Sequence, residues 1–195
     1  SWGNRMTECP IRVVKVGGSL LENEWLPERL QRLLQMSPHV RHGLVVGGGS
    51  LVDTVRRWDH THGLPQPWCH WSSIRLMSET ARLLAQVCAL PLVNDIPELP
   101  QTGNSILDCR QFMARQSQLP QSWQTSSDSM AAEIAQILNA DELWLLKSAV
   151  PASRLVSAWP ADGFVDSQFA QAIENTRQVF AVNLADPDLL SIRGI

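Results

Sequence analysis

Two short apolar runs, each stopped by a cluster of glycines, constrain the fold more than any other feature of this sequence. The first run reads IRVVKV at 11–16 and is followed by G-G-S at 17–19. The second ends in L-V-V at 44–46 and is followed by G-G-G-S at 47–50. Runs rich in β-branched residues predict buried strands, and the glycines end them. The sequence therefore predicts two strands that each lead through a tight turn into a helical segment.

The rest of the chain continues this alternation of strands and helices. We predict strands at 11–16, 43–46, 92–94, 105–108, 143–146 and 178–182. We predict helices at 27–36, 50–62, 71–90, 109–116, 128–139 and 166–175. The alternation favours an α/β fold, a three-layer αβα sandwich whose mainly parallel open sheet binds ligands at the carboxyl ends of its strands. The 195 residues predict a single domain, 1–195, with a flexible N-terminal segment at 1–10.

Composition excludes several classes of protein. Hydrophobic residues make up 44% and charged residues 18%, which is typical of a globular domain rather than a disordered chain. The net charge of −3, without a basic stripe, argues against nucleic-acid binding. No apolar run approaches the ~20 residues that span a bilayer. The polar N-terminus and four scattered cysteines without C-x-x-C favour a soluble cytoplasmic protein with free thiols.

Lysine is rare in this chain. Only Lys15 and Lys147 are lysines among 16 basic residues, and both lie at predicted strand ends. A compact ammonium on a flexible stem differs from the planar fork of arginine, so these positions are candidates for chemistry. Chance in a chain that favours arginine is the alternative.

The glycine turns are candidate anion cradles. Glycine lets backbone amides approach an anion closely, and an amide cradle at a helix start favours negative charge. Neither turn matches a Walker loop or a Rossmann fingerprint. A plain strand-loop-helix turn is the alternative for both. Three consecutive glycines at 47–49 are costly in a simple turn, so this alternative is weaker for the second turn.

Asp128 begins the helix predicted at 128–139, within S-D-S-M-A-A. It is either the N-cap of that helix or an ion-pair partner of the lysines. His70 and Asp53 are weaker candidates. The first is a structural histidine or a residue that hydrogen-bonds a ligand, and the second is a solvated carboxylate or a partner for an amine. Trp68, Trp71 and Trp123 flank predicted loops and are candidates for lining a ligand pocket, with core or interface packing as the default.

Together these motifs resemble the amino acid kinase family. The resemblance depends on K-x-G-G-S at 15–19, G-G-G-S at 47–50 and S-D-S-M-A-A-x-x-A around Asp128, in the family's order and spacing. A closer similarity is to the small branch containing the kinase that acts on aminomethylfuranmethyl phosphate in methanofuran biosynthesis. It depends on G-G-G-x-x-x-D-x-V-R at 47–56, H-W at 70–71, S-W-x-x-T-S-D-S at 122–129 and L-L-K-S at 145–148.

The resemblance implies a carbamate kinase-like fold and a homodimeric kinase that uses ATP with Mg²⁺ and a small acidic acceptor. Lys15 would contact the transferred phosphoryl group, and Asp128 would organise the lysine. Glycine amides at 17, 18, 48 and 49 would cradle phosphate oxygens, and no protein side chain is implied as a metal ligand. The implied phosphate or nucleotide residues are Gly17, Gly18, Ser19, Lys147 and Ser148. The implied acceptor residues are Gly47, Gly48, Gly49, Asp53 and His70.

The sequence also departs from the family. Many members continue after this strand with D-V-D-G-V-Y, where this chain reads S-A-V-P-A-S-R-L at 148–155. A third lysine near the donor phosphates is absent, and Arg154 is the candidate substitute, although its fork is not equivalent. A non-catalytic nucleotide or anion binder of the same fold is therefore the main alternative, and an assembly subunit is a third.

Overall fold

The computed structural model describes residues 9–174, 176–189 and 191–194. Ser1 to Glu8, most of the segment predicted to be flexible, lie outside the described residues. One sheet runs through the molecule in the order β3-β4-β2-β1-β5-β6-β7, and every described pairing is parallel except that of β7 with β6. Its strands are β1 (Ile11–Val16), β2 (Arg41–Val46), β3 (Leu92–Val93), β4 (Asn104–Leu107), β5 (Glu142–Lys147), β6 (Val179–Asn183) and β7 (Ser191–Arg193).

Helices cover both faces of this sheet, so the predicted mainly parallel αβα architecture is confirmed. They are α1 (Leu26–Gln35), α2 (Gly49–His62), α3 (Gln66–Cys88), α4 (Arg110–Arg115), α5 (Ser127–Ile137) and α6 (Phe169–Ala172). Among the described residues, no helix has the length and hydropathy needed to cross a membrane.

Several elements differ from the sequence prediction. α3 begins at Gln66 rather than at 71, because Pro67 occupies the first turn, where its missing N–H is not needed. α6 begins at Phe169 rather than at 166, because Asp166 Oδ1 accepts a hydrogen bond from the Gln168 amide (2.9 Å) in a turn before it, and the helix ends at Ala172. β7 pairs antiparallel with β6, in a segment for which the sequence predicts no strand.

β2 begins at Arg41, two residues before its predicted start, and brings a buried polar cluster into the sheet. His42 Nδ1 lies 2.7 Å from Asn104 Oδ1, and His42 Nε2 lies 3.2 Å from the guanidinium of Arg12. Because a guanidinium only donates, Nε2 accepts and the ring is neutral. Burial lowers the pKa of His42, and the nearby Arg12 lowers it further, against opposing contacts with Asn104 and Glu142.

The central strand β1 is buried on both faces, and its alternation determines where its side chains lie. Val14 and Val16 pack with the leucines of α1 in one hydrophobic cluster. Ile11 and Val13 pack in the other cluster, which contains the apolar residues of α5. By the same two-residue period, Lys15 lies on the α5 face of the sheet.

Candidate active site

Neighbouring strands place the two lysines on one face at the carboxyl end of the sheet. β1 and β5 are parallel, with Lys15 opposite Leu145. Leu145 packs in the same cluster as α5, so Lys147, two residues further along β5, lies on the same face as Lys15. The sheet register therefore brings together two cations that are far apart in the sequence.

Asp128 lies between the two ammonium groups. Lys15 Nζ is 2.9 Å from Asp128 Oδ1, and Lys147 Nζ is 2.8 Å from Oδ2. The N-cap of α5 is Ser126, whose hydroxyl accepts a hydrogen bond from the Asp128 amide (3.1 Å). Because Ser126 caps the helix, the Asp128 carboxylate pairs with the lysines, and the N-cap alternative for Asp128 is not what the structure shows.

The electrostatics of this group keep the carboxylate ionised. Burial acts to raise the pKa of Asp128, but Lys15 and Lys147 outweigh it, and the pKa lies below its ordinary value. Burial lowers the pKa of Lys147, and the attraction of Asp128 offsets this only in part. With both lysines protonated, the three side chains carry one net positive charge, which suits an anionic ligand.

The two glycine turns pack against each other, backbone to backbone. A Cβ atom on Gly18 would lie 2.1 Å from the amide nitrogen of Gly49. Gly49 has a φ of +53°, and a Cβ atom there would lie 2.6 Å from the Gly18 carbonyl oxygen. Contact between the turns thus requires glycine at both positions, independently of any ligand.

Not all the glycine amides expected in the cradle point to a ligand. The Gly17 amide donates to the Leu146 carbonyl (2.8 Å), which corrects the expectation that this N–H binds phosphate. The Gly47 amide likewise donates to the Val16 carbonyl (2.9 Å). For the amides of Gly18, Gly48 and Gly49, the described part of the chain offers no hydrogen-bond acceptor.

A cavity of about 390 Å³ lies above the lysine pair. The predicted site residues that line it are Lys15, Gly18, Gly47, Gly48, Gly49, Asp53, His70, Asp128 and Lys147. Gly17, Ser19 and Ser148 are not among the lining residues. Gly17 is buried beneath the turn, whereas Ser19 and Ser148 are exposed outside the cavity.

One wall of the cavity carries an indole that is fixed in place. Trp123 lines the cavity, and its Nε1 donates to Asp59 Oδ2 (2.6 Å). The guanidinium of Arg56 lies 5.0 Å from the centre of the indole and pairs with the exposed Asp53 at 3.4 Å. Of the three tryptophans that were candidates for a ligand pocket, Trp68 and Trp71 are not among the lining residues.

His70 lies deeper in the same wall. It is buried near the start of α3, and burial lowers its pKa. Its ring packs edge-on against Trp71 with centroids 5.5 Å apart. A neutral imidazole at this place can donate or accept a hydrogen bond without adding charge to the cavity.

Two residues that sequence reasoning missed, Phe164 and Asp166, also line the cavity. Lys147 Nζ donates to the Phe164 carbonyl and lies 4.4 Å from the centre of the Phe164 ring. Asp166 lines the cavity and accepts hydrogen bonds from the Ser126 hydroxyl (2.6 Å) and the Ser129 amide (3.2 Å). The sequence presents Asp166 only as a helix start, and no local pattern connects it with α5.

Arg154, the candidate substitute for a missing lysine, is exposed and donates to the Arg193 carbonyl at 3.4 Å. It is not among the residues that line the cavity. Within the described residues there is no group of three or more His, Cys, Asp or Glu side chains placed to hold a metal ion.

Solved structures of UMP kinases have the same fold. The uridylate kinase of Archaeoglobus fulgidus is 17% identical with a TM-score of 0.62, over 86% of this chain and 88% of that one. The UMP kinase of Ureaplasma parvum is 12% identical with a TM-score of 0.67, over 97% of each chain. That of Bacillus anthracis is 12% identical with a TM-score of 0.61, over 91% of this chain and 88% of that one.

The chain therefore has the α/β fold of the UMP kinases, and those kinases belong to the amino acid kinase superfamily. At sequence identities of 12% to 17%, the similarity to these structures shows a shared fold alone. No protein-family model and no curated protein sequence matches the chain.

Proposed function

We propose that this protein is an ATP-dependent phosphotransferase that acts on a small acidic acceptor. The observation that carries the proposal is the buried carboxylate of Asp128, which pairs with Lys15 and Lys147 at the floor of a cavity. Phosphoryl transfer needs positioning and positive charge more than covalent chemistry from the protein. Two fixed ammonium groups beside unpaired backbone amides supply both.

In the proposed mechanism each group has a separate role. Lys15 stabilises the charge that develops on the transferred phosphoryl group, and Lys147 holds the donor phosphates. The amides of Gly18, Gly48 and Gly49 bind phosphate oxygens, a stabilisation that needs no rearrangement during the reaction. Asp128 keeps both ammonium groups in place. Gly17, whose amide is used by the sheet, supports the turn rather than the ligand.

The residues present fit a metal that arrives with the nucleotide. Mg²⁺ is usually held through one or two carboxylates together with substrate phosphates and water, so it needs no cage of protein ligands. Bound with ATP, it would neutralise charge on the donor phosphates. The Asp166 carboxylate lines the cavity but already accepts four hydrogen bonds, so the phosphate oxygens of the nucleotide and water would hold the metal.

For the acceptor, the wall formed by Trp123, Arg56, Asp53 and His70 supports a flat molecule with an acidic group. An indole offers a face for stacking, and a guanidinium binds phosphate or carboxylate. Asp53 suits an amine on the acceptor. We therefore propose as a first candidate an aminomethylfuran phosphate, as in the branch that the sequence resembles, and UMP, the acceptor of the structural neighbours, as a second.

A non-catalytic nucleotide or anion binder of the same fold is the second candidate. It is favoured by the position of Arg154, which lies against the Arg193 carbonyl and supplies no further cation to the cavity. The homodimer and the cytoplasmic location implied by the sequence stay predictions.

Thermal unfolding with and without Mg-ATP tests the proposal first. At 100 times Kd, binding adds about 2.7 kcal/mol to apparent stability. We expect the melting temperature of wild type to rise with Mg-ATP, and the rise to shrink in Lys15→Ala and Lys147→Ala. Arg110→Ala, an exposed arginine on α4, is the matched control and keeps the full rise. No rise at millimolar ATP in wild type would contradict nucleotide use.

An acceptor screen separates the two candidate functions. Product from [γ-³²P]ATP with either acceptor, lost in Lys15→Ala, supports the transferase. Binding of ATP without transfer to any acidic acceptor favours the non-catalytic binder.

A further inference from the structure

Asp166 accepts hydrogen bonds from two different parts of the α5 N-terminus. Oδ2 accepts from the Ser126 hydroxyl (2.6 Å), the Ser126 amide (3.2 Å) and the Ser129 amide (3.2 Å), and Oδ1 accepts from the Gln168 amide (2.9 Å). Four donors on one carboxylate leave Asp166 little freedom. It therefore ties its own loop to the helix start that carries Asp128.

The same loop holds Lys147. Phe164, two residues before Asp166, accepts a hydrogen bond from Lys147 Nζ through its carbonyl oxygen and places its ring 4.4 Å from that nitrogen. A charge-assisted hydrogen bond together with a cation–π contact orients an ammonium more firmly than either alone. We call residues 164–166 the strap, because they join the first turn of α5 to the end of β5.

We propose that Asp166 is a positioning residue, which acts through the strap to hold Lys147 and Asp128 in the arrangement that receives the donor phosphates. The proposal is based on the proposed function, since it assigns Lys147 to the donor. Ser126, the residue just before α5, already caps the helix locally, so a second cap from a distant carboxylate adds little to helix formation alone. Its particular effect is to fix the distance between the helix start and the strap.

The scarcity of lysine allows a direct test that needs no substrate. Trace acylation with acetic anhydride, read by peptide mass spectrometry, compares the only two lysine side chains of the protein. In wild type, the contacts of Lys147 with Asp128 and Phe164 slow its reaction. In Asp166→Ala the strap is released, and Lys147 loses its hydrogen bond to the Phe164 carbonyl. That loss raises the Lys147/Lys15 labelling ratio about fivefold. The negative charge of Asp166 raises the pKa of Lys147. Its loss therefore lowers that pKa and also increases the labelling of Lys147.

Controls keep this test decisive. Asp162→Ala removes an exposed carboxylate from the same loop and leaves the ratio unchanged. Asp166→Asn keeps the side-chain shape and raises the ratio in the same direction, so it replaces the alanine variant if that one does not fold. An unchanged ratio in a folded Asp166 variant overturns the positioning role and leaves only a helix cap.

Kinetics distinguish this inference from the proposed function. If wild type transfers phosphate from Mg-ATP, Asp166→Ala raises KM for ATP and lowers kcat about tenfold or more, because the displaced Lys147 holds the donor phosphates both before and during transfer. An unchanged kcat contradicts the inference. If wild type transfers no phosphate but labelling responds as expected, the proposed function fails and the positional link between Asp166 and Lys147 stands.

Discussion

Replacing Asp128 by Asn tests whether one carboxylate serves as the shared counter-ion of two lysines. Asn has nearly the same shape, but it leaves two ammonium groups facing each other without a negative charge. The side chains of Lys15, Asp128 and Lys147 are 7%, 7% and 20% exposed, so water screens the charges poorly. Removing one partner of a buried ion pair costs ~3–5 kcal/mol, and we expect about 3 kcal/mol because Lys147 is partly hydrated.

Lys15→Met provides the comparison that makes this prediction specific. The methionine keeps most of the apolar stem, and Asp128 stays paired with Lys147. The free energy of unfolding should therefore fall by about 1 kcal/mol, the value of one ordinary hydrogen-bonded contact. Urea unfolding at neutral pH measures both variants, and Asp162→Asn controls for loss of an exposed carboxylate. A Lys15→Met variant that loses as much as Asp128→Asn would refute the shared counter-ion.

The pH dependence gives an independent check of the same reasoning. The pKa of Asp128 is lower in the folded protein than its ordinary 3.8, so the unfolded chain takes up a proton first as pH falls. The stabilisation is complete above 3.8 and is lost as pH falls through the folded pKa. The stability difference between wild type and Asp128→Asn should therefore shrink only at strongly acid pH. A difference that already disappears near neutral pH would contradict the ionised pair.

Three further perturbations are expected to have simple outcomes. The pKa of His42 is lowered in the folded protein, so its contribution to stability is complete above pH 6.5 and falls below that pH, where the unfolded chain is protonated. In chemical unfolding, the stability of His42→Gln should therefore depend less on pH than that of wild type between about pH 5 and 7. Gly18→Ala should cost about 3 kcal/mol in urea unfolding, because its Cβ would lie 2.1 Å from a backbone nitrogen, whereas Gly43→Ala meets only ordinary contacts and should be tolerated. Arg154→Ala should leave the ATP-induced rise in melting temperature unchanged, since the side chain lies outside the cavity; a smaller rise would place this arginine at the nucleotide.

Local patterns predicted most of the fold where the relevant physics is local. The β-branched run at 11–16 and its glycine stop predicted β1 with the bounds that the structure shows. The same approach missed the first two residues of β2, because Arg41 and His42 are polar. His42 is nevertheless accommodated in the interior by Arg12 and Asn104, which lie on other strands. A pattern along one segment contains no information about such partners.

In the candidate site, too, some features follow from local sequence patterns and others depend on contacts between distant segments. Local patterns along the chain identified the available residue types: two lysines at strand ends, an aspartate at a helix start and two glycine turns. The folded chain was needed to show that both lysines share Asp128, that the Gly17 amide donates to a strand carbonyl, and that Asp166 contacts α5 from 40 residues away. The physical reason is that strand register and helix packing, rather than nearness along the chain, determine which charged groups lie within hydrogen-bonding distance.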